Sequence, residues 1–287
     1  MTHIMVATDF SERSDRALRR ATLLARQTGA RMTLVTAVDE DRPLRLVEEE
    51  KRETETLLRN MRATLRDVDN ISCESRLLVA EPSQAIVQFA EETAPDLLVL
   101  GPHRRQLFRD IFVGTTAERT IRNVTCPVLM VNAAPVAAYR NVLLTTDLGE
   151  ASRNAITIYA KMVLANDASH SILHVFDAPM LQLATASTMT EREAKLYIED
   201  TRQKAAGELS SFMGTIGIGG VQPLLRHAAT AVNHEILAAA AEISADLIVL
   251  ANQGKRTLER WLLGSVTETV LRDSTIDVLA IPPARAD

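Results

Sequence analysis

Two stretches of this chain, about half its length apart, repeat the same pattern of apolar run, acidic turn and helix. IMVATDFSERS near the start resembles NVLLTTDLGEAS near the middle, and PDLLVLG resembles ADLIVLA. In the first pair Asp9 and Asp147 are 138 positions apart, whereas Asp96 and Asp246 in the second pair are 150 apart. Such a long period indicates a duplicated domain, because solenoid repeats have periods of roughly 20–50 residues.

The two spacings differ by 12 positions, so the second copy contains an insertion. We expect it between Asp177 and Glu235, in APMLQLATASTMTERE or in GTIGIGG. The Pro/Ala stretch NAAPVAAYR separates the copies, which gives predicted domains of residues 1–135 and 139–284. The 287 residues suffice for two domains that each bury a core.

Within each copy, short apolar runs alternate with stretches that have helical spacing. HIMVAT, RMTLVTAV, CESRLLVA, PDLLVLG and CPVLMVN are the predicted strands of the first copy. Gly29 suits a helix C-terminal cap, Pro82 suits the first turn of a helix, and residues 46–69 form a long amphipathic helix. Strands alternating with helices predict right-handed crossovers and a parallel sheet in each domain.

Charge and composition exclude several function classes. The net charge of −5 and the 3% aromatic content argue against a nucleic-acid partner. The sequence has no apolar run long enough to span a bilayer, and its N-terminus lacks the pattern of a signal peptide. Cys73 and Cys126 form no CxxC motif, which suits a reducing compartment, so we expect a cytoplasmic protein without a membrane partner.

The stretch DLIVLANQGKRTLERWLLGSVTE, residues 246–268, combines a buried strand, a basic loop with glycine, and a helix start. Backbone N–H groups and the positive end of the helix dipole hold phosphates in such a layout. Ser265-x-x-Glu268 is also a capping box, so helix capping alone is an alternative. Asp9 and Asp147 likewise resemble helix N-caps, although they end the first strand of each copy, where α/β folds bind ligands.

Other polar and sulfur-containing residues give no strong site. The six histidines lack metal-ligand spacing, so we predict no metal site, and we expect His174 to be a hydrogen-bonded core residue. GTIGIGG does not follow a strand and open a helix, so we interpret it as a loop. Met180 and Met189 lie in an ordinary connection or in a mobile lid over the second-half site.

The repeat, the aspartate that ends strand one and the Gly-Ser or Gly-Thr pair that opens the last helix resemble the universal stress protein family in its tandem form. The resemblance covers nearly the whole chain. It implies an α/β, Rossmann-like fold of the adenine nucleotide alpha hydrolase type, with two tandem five-stranded parallel sheets of order 3-2-1-4-5. Nucleotide-binding members have the pattern G-x2-G-x9-G-[S/T], with adenine between the ends of strands one and two.

The second half carries this pattern with one change, as Ala251-x2-Gly254-x9-Gly264-Ser265. The resemblance places Asp147 by the ribose and base, and gives Val175 backbone hydrogen bonds to adenine. The implied binding residues are Asp147, Val175, Ala251, Gln253, Gly254, Gly264, Ser265, Val266 and Thr267.

The first half departs further, as Gly101-x2-Arg104-x9-Gly114-Thr115. Arg104 replaces a loop glycine, and its Cβ resists a positive φ and fills space that a phosphate needs. The implied site is therefore weaker here. Its residues are Asp9, Gly101, Gly114 and Thr115.

These features favour a universal stress response protein that binds ATP, ADP or AMP, with or without Mg²⁺, as a regulatory ligand in its second domain. We predict no catalytic residues and at most weak ATPase activity. The alternative is a scaffold that binds no nucleotide and keeps relic glycine loops. An ATP-dependent enzyme of the pyrophosphatase type ranks last, because no Ser-Gly-Gly loop follows strand one. Family members pair through their fifth strands, which here could occur within one chain or in a homodimer.

Overall fold

The computed structural model describes residues 1–41, 43–102, 116–180, 189–252, 256–257, 260–261 and 263–283. The elements of the first half are β1 (His3–Ala7), α1 (Glu12–Thr28), β2 (Arg31–Val38), α2 (Leu44–Asp67), β3 (Cys73–Val79), α3 (Pro82–Thr93), β4 (Leu97–Leu100), α4 (Thr116–Asn123) and β5 (Val128–Met130). Those of the second half are β6 (Asn141–Thr146), α5 (Glu150–Met162), β7 (Ser169–Phe176), α6 (Glu191–Met213), β8 (Gln222–His227), α7 (Val232–Glu242), β9 (Leu247–Ala251), β10 (Arg256–Thr257), β11 (Arg260–Trp261), α8 (Ser265–Asp273) and β12 (Asp277–Ile281).

The two copies form a single ten-stranded sheet of order β3-β2-β1-β4-β5-β12-β9-β6-β7-β8. Within each copy the five strands of this sheet pair in parallel and follow the order 3-2-1-4-5, which confirms the predicted fold class. The two fifth strands, β5 and β12, pair antiparallel, with Leu129 opposite Leu279. The two predicted five-stranded sheets are thus joined edge to edge.

Helices cover both faces of this sheet, so its central strands are buried and almost entirely apolar. Successive residues of a strand point to opposite faces. In β1, Ile4 belongs to the apolar layer under α1, α2, α5 and α6, whereas Met5 belongs to the layer under α3, α4, α7 and α8. No helix in the described parts of the chain is long and apolar enough to cross a membrane.

The connections account for the predicted insertion. Fourteen residues separate β7 from α6, whereas five separate β2 from α2. Eight residues separate α6 from β8, against five between α2 and β3. Both stretches named from the sequence therefore contain added residues. The long helix predicted over 46–69 runs from Leu44 to Asp67, and the loop predicted after β9 contains the short antiparallel pair β10 and β11.

Local sequence signals explain several helix ends. Gly29 adopts the left-handed conformation, with φ of 71°, at the C-terminal cap of α1, as predicted. Pro82 occupies the first turn of α3, where its missing N–H has no helical partner to lose.

Candidate functional site

The carboxyl ends of the second-half strands meet at one edge of the sheet. Strand β6 pairs with β7 on one side and with β9 on the other, so the chain order reverses between β6 and β9. Such a switch point opens the crevice in which α/β sheets bind ligands. Asp147 follows β6, Val175 is the penultimate residue of β7, and Ala251 ends β9. The structure therefore brings these three predicted residues to the same edge.

The turn after β6 is held by a compact set of hydrogen bonds. Asp147 Oδ1 accepts from the backbone N–H of Gly149 (3.0 Å) and from the Ser152 hydroxyl. Thr146 Oγ1 accepts from the N–H of Leu148 (2.8 Å), which has a φ of 66°. The N-cap of α5 is Gly149, so the interpretation of Asp147 as the N-cap is wrong. Its carboxylate instead fixes the turn two residues before the cap.

The first half builds the same turn after β1. Asp9 Oδ1 accepts from the N–H of Ser11 (3.0 Å), Thr8 Oγ1 accepts from the N–H of Phe10 (3.0 Å), and Phe10 has a φ of 59°. Ser11 is the N-cap of α1, so Asp9 is not the cap either. Left-handed conformations of bulky residues are strained and concentrate at functional sites. The strain recurs at the equivalent position of both copies.

The Asp9 carboxyl has a pKa below its usual value. Burial alone would raise this pKa, but hydrogen bonds from Ser11 and Ser14 outweigh that effect. The carboxylate therefore stays ionised at neutral pH while it holds the turn.

Helix α8 begins at the same edge and presents its N-terminus there. Gly264 is its N-cap, with φ of −52°, and a Cβ built on Gly264 meets no atom within 4 Å. Ser265 is the first helical residue, and the N-cap Gly264 supplies no side-chain hydrogen bond to the helix. Glu268 instead pairs with Arg122 of α4 (3.1 Å), so the predicted Ser265-x-x-Glu268 capping box is not formed. The capping box therefore does not explain Ser265 and Glu268.

The first turn of α8 is attached to the end of β9. Thr267 is buried, and its hydroxyl donates to the carbonyl oxygen of Ala251 (3.4 Å). Val266 is half-buried and packs on the apolar layer under α7 and α8. These contacts hold Ala251 and the α8 N-terminus next to each other. The other two predicted residues of the loop, Gln253 and Gly254, lie outside the described residues.

Sequence reasoning missed Asn252, which follows β9 directly. Its side chain is only 2% exposed, and its N–H donates to the carbonyl oxygen of Ile281 (2.7 Å). Within the described part of the chain its Oδ1 atom is buried without a hydrogen-bond partner. The repeat held a signal for it, because the two copies differ at this position. The first copy has Pro102 there, which lacks a polar side chain.

The repeat also contained the residues that hold the two turns. Thr8 and Ser14 of the first copy correspond to Thr146 and Ser152 of the second, at the spacing of the two aspartates. The two pairs make equivalent contacts. In each copy the threonine hydroxyl accepts a hydrogen bond from the N–H of the residue with positive φ, and the serine hydroxyl contacts the turn.

In the first half, Gly101 follows β4, and the fold itself requires a glycine there. A Cβ at this position would lie 2.7 Å from the carbonyl oxygen of Arg13 and 3.0 Å from the nitrogen of Ser14. The close approach of α1 therefore explains Gly101 without a ligand. Arg104, Gly114 and Thr115 lie outside the described residues.

His174 is half-buried on β7, and its Nδ1 lies 3.1 Å from the carbonyl oxygen of Thr146. It is thus hydrogen-bonded, as the sequence predicts, but it is only partly buried and does not belong to the core. In the part of the chain that the structure describes, no three His, Cys, Asp or Glu side chains are grouped so as to hold a metal ion.

Comparison with known proteins identifies the family. The sequence profile of the universal stress protein family matches residues 1–132 and, separately, residues 138–282. This chain belongs to the universal stress protein family. The two matched segments correspond to the two copies of the repeat, so the chain is a tandem universal stress protein.

Relatives from other organisms resemble the halves or the whole. Universal stress protein MJ0531 of Methanocaldococcus jannaschii is 31% identical over 136 residues, which are 45% of this chain and 80% of that protein. A solved universal stress protein from Archaeoglobus fulgidus covers 98% of both chains at 20% identity with a TM-score of 0.69, and so shares the fold. A solved universal stress protein in complex with cAMP is 27% identical over 45% of this chain, with a TM-score of 0.38.

Proposed function

We propose that the second half of this universal stress protein binds an adenine nucleotide (ATP, ADP or AMP) as a regulatory ligand. The base and ribose lie by Asp147 and Val175, and the phosphates lie at the start of α8, against Gly264, Ser265, Val266 and Thr267. Ala251, which ends β9, and the motif residues Gln253 and Gly254 contribute to the same proposed site. The proposed domains remain residues 1–135 and 139–284.

The observation that carries this proposal is the start of α8 beside the switch point, where the N-cap Gly264 supplies no side-chain hydrogen bond. The first N–H groups of a helix have no partner within the helix, and they favour an anion. Gly264 leaves open space in front of them, although neither its φ nor its surroundings require a glycine. The need to leave space for a phosphate would explain why this position is a glycine.

A second, independent observation supports a ligand at this edge. The buried Oδ1 of Asn252 has no partner in the described part of the chain, and buried polar groups are almost always hydrogen-bonded. A ligand hydroxyl or a ligand-bound water would satisfy it. The first half has Pro102 at this position, and its Gly101 has a packing reason, so we propose a degenerate site there.

The contacts around α8 suggest how a nucleotide would regulate the protein. Glu268, one turn from the proposed phosphate site, pairs with Arg122 of the first half. A ligand that binds one arrangement of this contact more tightly than another shifts the population of conformations. We therefore propose regulation, with hydrolysis at most slow. We propose Mg²⁺ only as the counterion of the nucleotide phosphates, without ligands from the protein.

A scaffold without nucleotide is the second candidate, and Ala251 favours it. Its methyl group stands where nucleotide-binding members have the first glycine of the motif. The absence of nucleotide binding would make this candidate the leading one.

Titration calorimetry of the nucleotide-free chain tests the proposal, with ATP, ADP and AMP each added in Mg²⁺ and in EDTA. The key variant is Gly264→Val, whose side chain fills the space before α8. Gly207→Val is the matched control, because a Cβ on this exposed glycine of α6 also meets no atom within 4 Å.

We expect one nucleotide per chain, at least about tenfold weaker binding in Gly264→Val, and unchanged binding in Gly207→Val. Equal affinity in both variants, or no heat with any nucleotide at about millimolar concentration, would contradict the proposal.

The cysteines support a reducing location, and we propose the cytoplasm. Both are free thiols. Burial raises the pKa of Cys73 to about 11 and that of Cys126 to about 12, so both are unreactive at neutral pH.

A further inference from the structure

A cavity of about 510 Å³ lies at the opposite edge of the second-half sheet from the proposed nucleotide site. It is a half-open pocket bordered by the C-terminal end of α5, the amino ends of β7 and β8, and the loop 214–221. Tyr159, Leu164, His170, Gly219 and Gln222 are among its lining residues. Its volume falls within the range of roughly 300–1,000 Å³ that is usual for small-molecule sites.

The features that form this cavity occur only in the second copy. The first copy has Ala21 and Met32 where the second has Tyr159 and His170. Ala21 and Met32 are both buried in the core of the first copy. The loop 214–221 is also longer than its first-half counterpart, residues 68–72. The duplication therefore does not account for this cavity.

The cavity wall carries no formal charge. None of its fourteen lining residues is Asp, Glu, Lys or Arg. Its one titratable pair is Tyr159 and His170, with the Tyr159 hydroxyl 2.8 Å from His170 Nε2. Burial lowers the pKa of His170, so its imidazole is neutral at neutral pH. A charged ligand would therefore meet no oppositely charged side chain among these lining residues.

Polar groups in the wall are nevertheless numerous. Asn166, Ser169 and Gln222, which have polar uncharged side chains, are among the lining residues. The C-terminal end of α5 borders the pocket, and the last four carbonyl groups of a helix have no partner within the helix. The lining therefore offers uncharged groups that both donate and accept hydrogen bonds, which suits a ligand with several hydroxyl groups.

Two features of the wall have no explanation in the fold itself. A Cβ on Gly217 or Gly219 would meet no atom within 4 Å, and neither residue has a positive φ, so neither packing nor backbone conformation requires glycine. Val163, at the end of α5, adopts a φ of 59°, which is strained for a β-branched residue. Both features lie in the wall of the pocket, one in the loop and the other at the end of α5.

We propose that this cavity binds an uncharged, hydroxyl-rich small molecule of about the size of a mono- or disaccharide. The site is independent of the proposed nucleotide site, because it lies at the other end of the strands.

The ring resonances of His170, assigned with the His170→Gln variant, report binding in NMR titrations of the full chain. The probes are glucose and maltose, with glucose 6-phosphate as the charged counterpart. Gly219→Leu places a side chain at the cavity wall, and Gly207→Leu on α6 is the matched control.

We expect a saturable shift with glucose or maltose, at least about tenfold weaker binding in Gly219→Leu, and no change in Gly207→Leu. Glucose 6-phosphate should bind at least about tenfold more weakly than glucose. The proposal is overturned if neither sugar gives a saturable shift up to about 50 mM. It is also overturned if Gly219→Leu binds as well as Gly207→Leu, or if glucose 6-phosphate binds as tightly as glucose.

Discussion

Arg20 of the first copy and Asp277 of the second form a buried ion pair, although they are 257 positions apart. Arg20 Nε lies 3.0 Å from Asp277 Oδ2, and the side chains are 6% and 0% exposed. Tyr139, in the segment between the copies, donates its hydroxyl to the same oxygen (2.7 Å), and the N–H groups of Asn132 and Ala133 donate to Oδ1. One carboxylate thus connects α1, the linker and β12.

Removal of Arg20 should destabilise the chain strongly. Arg20→Met leaves the Asp277 carboxylate buried without its cation, which costs about 3–5 kcal/mol. Arg19→Met on the same helix is the control, because Arg19 and Asp15 form an exposed pair that contributes less than about 1 kcal/mol. Urea unfolding of both variants checks this, and a similar loss in the two would contradict the structural role of the pair.

The sequence predicts the strands and their order, but not this ion pair. Apolar runs alternating with helical patterns reveal a parallel sheet, and the repeat reveals its duplication. Arg20 gives no such signal, since a charged residue on an amphipathic helix resembles the solvated face. Its second-copy equivalent is Ile158, so the repeat does not point to it either. Contacts between the copies depend on how β5 and β12 join, which no local pattern encodes.

Gly101→Ala should destabilise the first half. The added methyl would lie 2.7 Å from the Arg13 carbonyl oxygen, which belongs to the backbone and cannot rotate away. Overpacking of this kind costs about 1–3 kcal/mol. Chemical unfolding measures the loss, and Gly207→Ala serves as the control because its Cβ enters open space. Equal stability of the two variants would show that α1 does not pack as closely as the structure indicates.

Substitutions at two positions with left-handed backbone should change the free energy of unfolding in opposite directions. Val163→Gly relieves a strained β-branched residue and should raise the free energy of unfolding by about 1 kcal/mol. Gly29→Ala introduces a Cβ at a φ of 71° and should lower it by about the same amount. Thermal unfolding of both variants tests the pair. Destabilisation by Val163→Gly would contradict the strain at the end of α5.

The predicted site residues differ in how well sequence could place them. Asp147, Val175 and Ala251 lie at one edge because the carboxyl ends of parallel strands share it, which a strand pattern is sufficient to predict. The cap assignments were wrong, because Asp-x-x-Glu and Ser-x-x-Glu fit a cap in local sequence whether or not the helix begins there. Asn252 was missed because its buried oxygen becomes apparent only once β9 and β12 are paired.

Stability should fall as the solution is acidified below neutral pH, and His170 should contribute to the loss. Burial holds its folded pKa below the unfolded value of 6.5, so the unfolded chain binds the proton more tightly. Its contribution is complete above pH 6.5 and is lost as the pH falls toward the folded pKa.

The His170→Gln variant tests this in urea unfolding at about pH 7.5 and about pH 5.5. It should lose less stability between these pH values than wild type. His234→Gln, at an exposed position of α7, should lose as much as wild type. A loss in His170→Gln equal to that of wild type would exclude a role for this imidazole.

The most direct test of the nucleotide proposal compares the two equivalent aspartates. Asp147→Asn and Asp9→Asn both keep a side-chain oxygen for the turn but remove the charge, so structural effects should be alike. Calorimetric titration with ATP should give one site per chain in wild type and in Asp9→Asn, and about tenfold weaker binding in Asp147→Asn. Two sites per chain, or a loss of affinity in Asp9→Asn with none in Asp147→Asn, would contradict a nucleotide site in the second half.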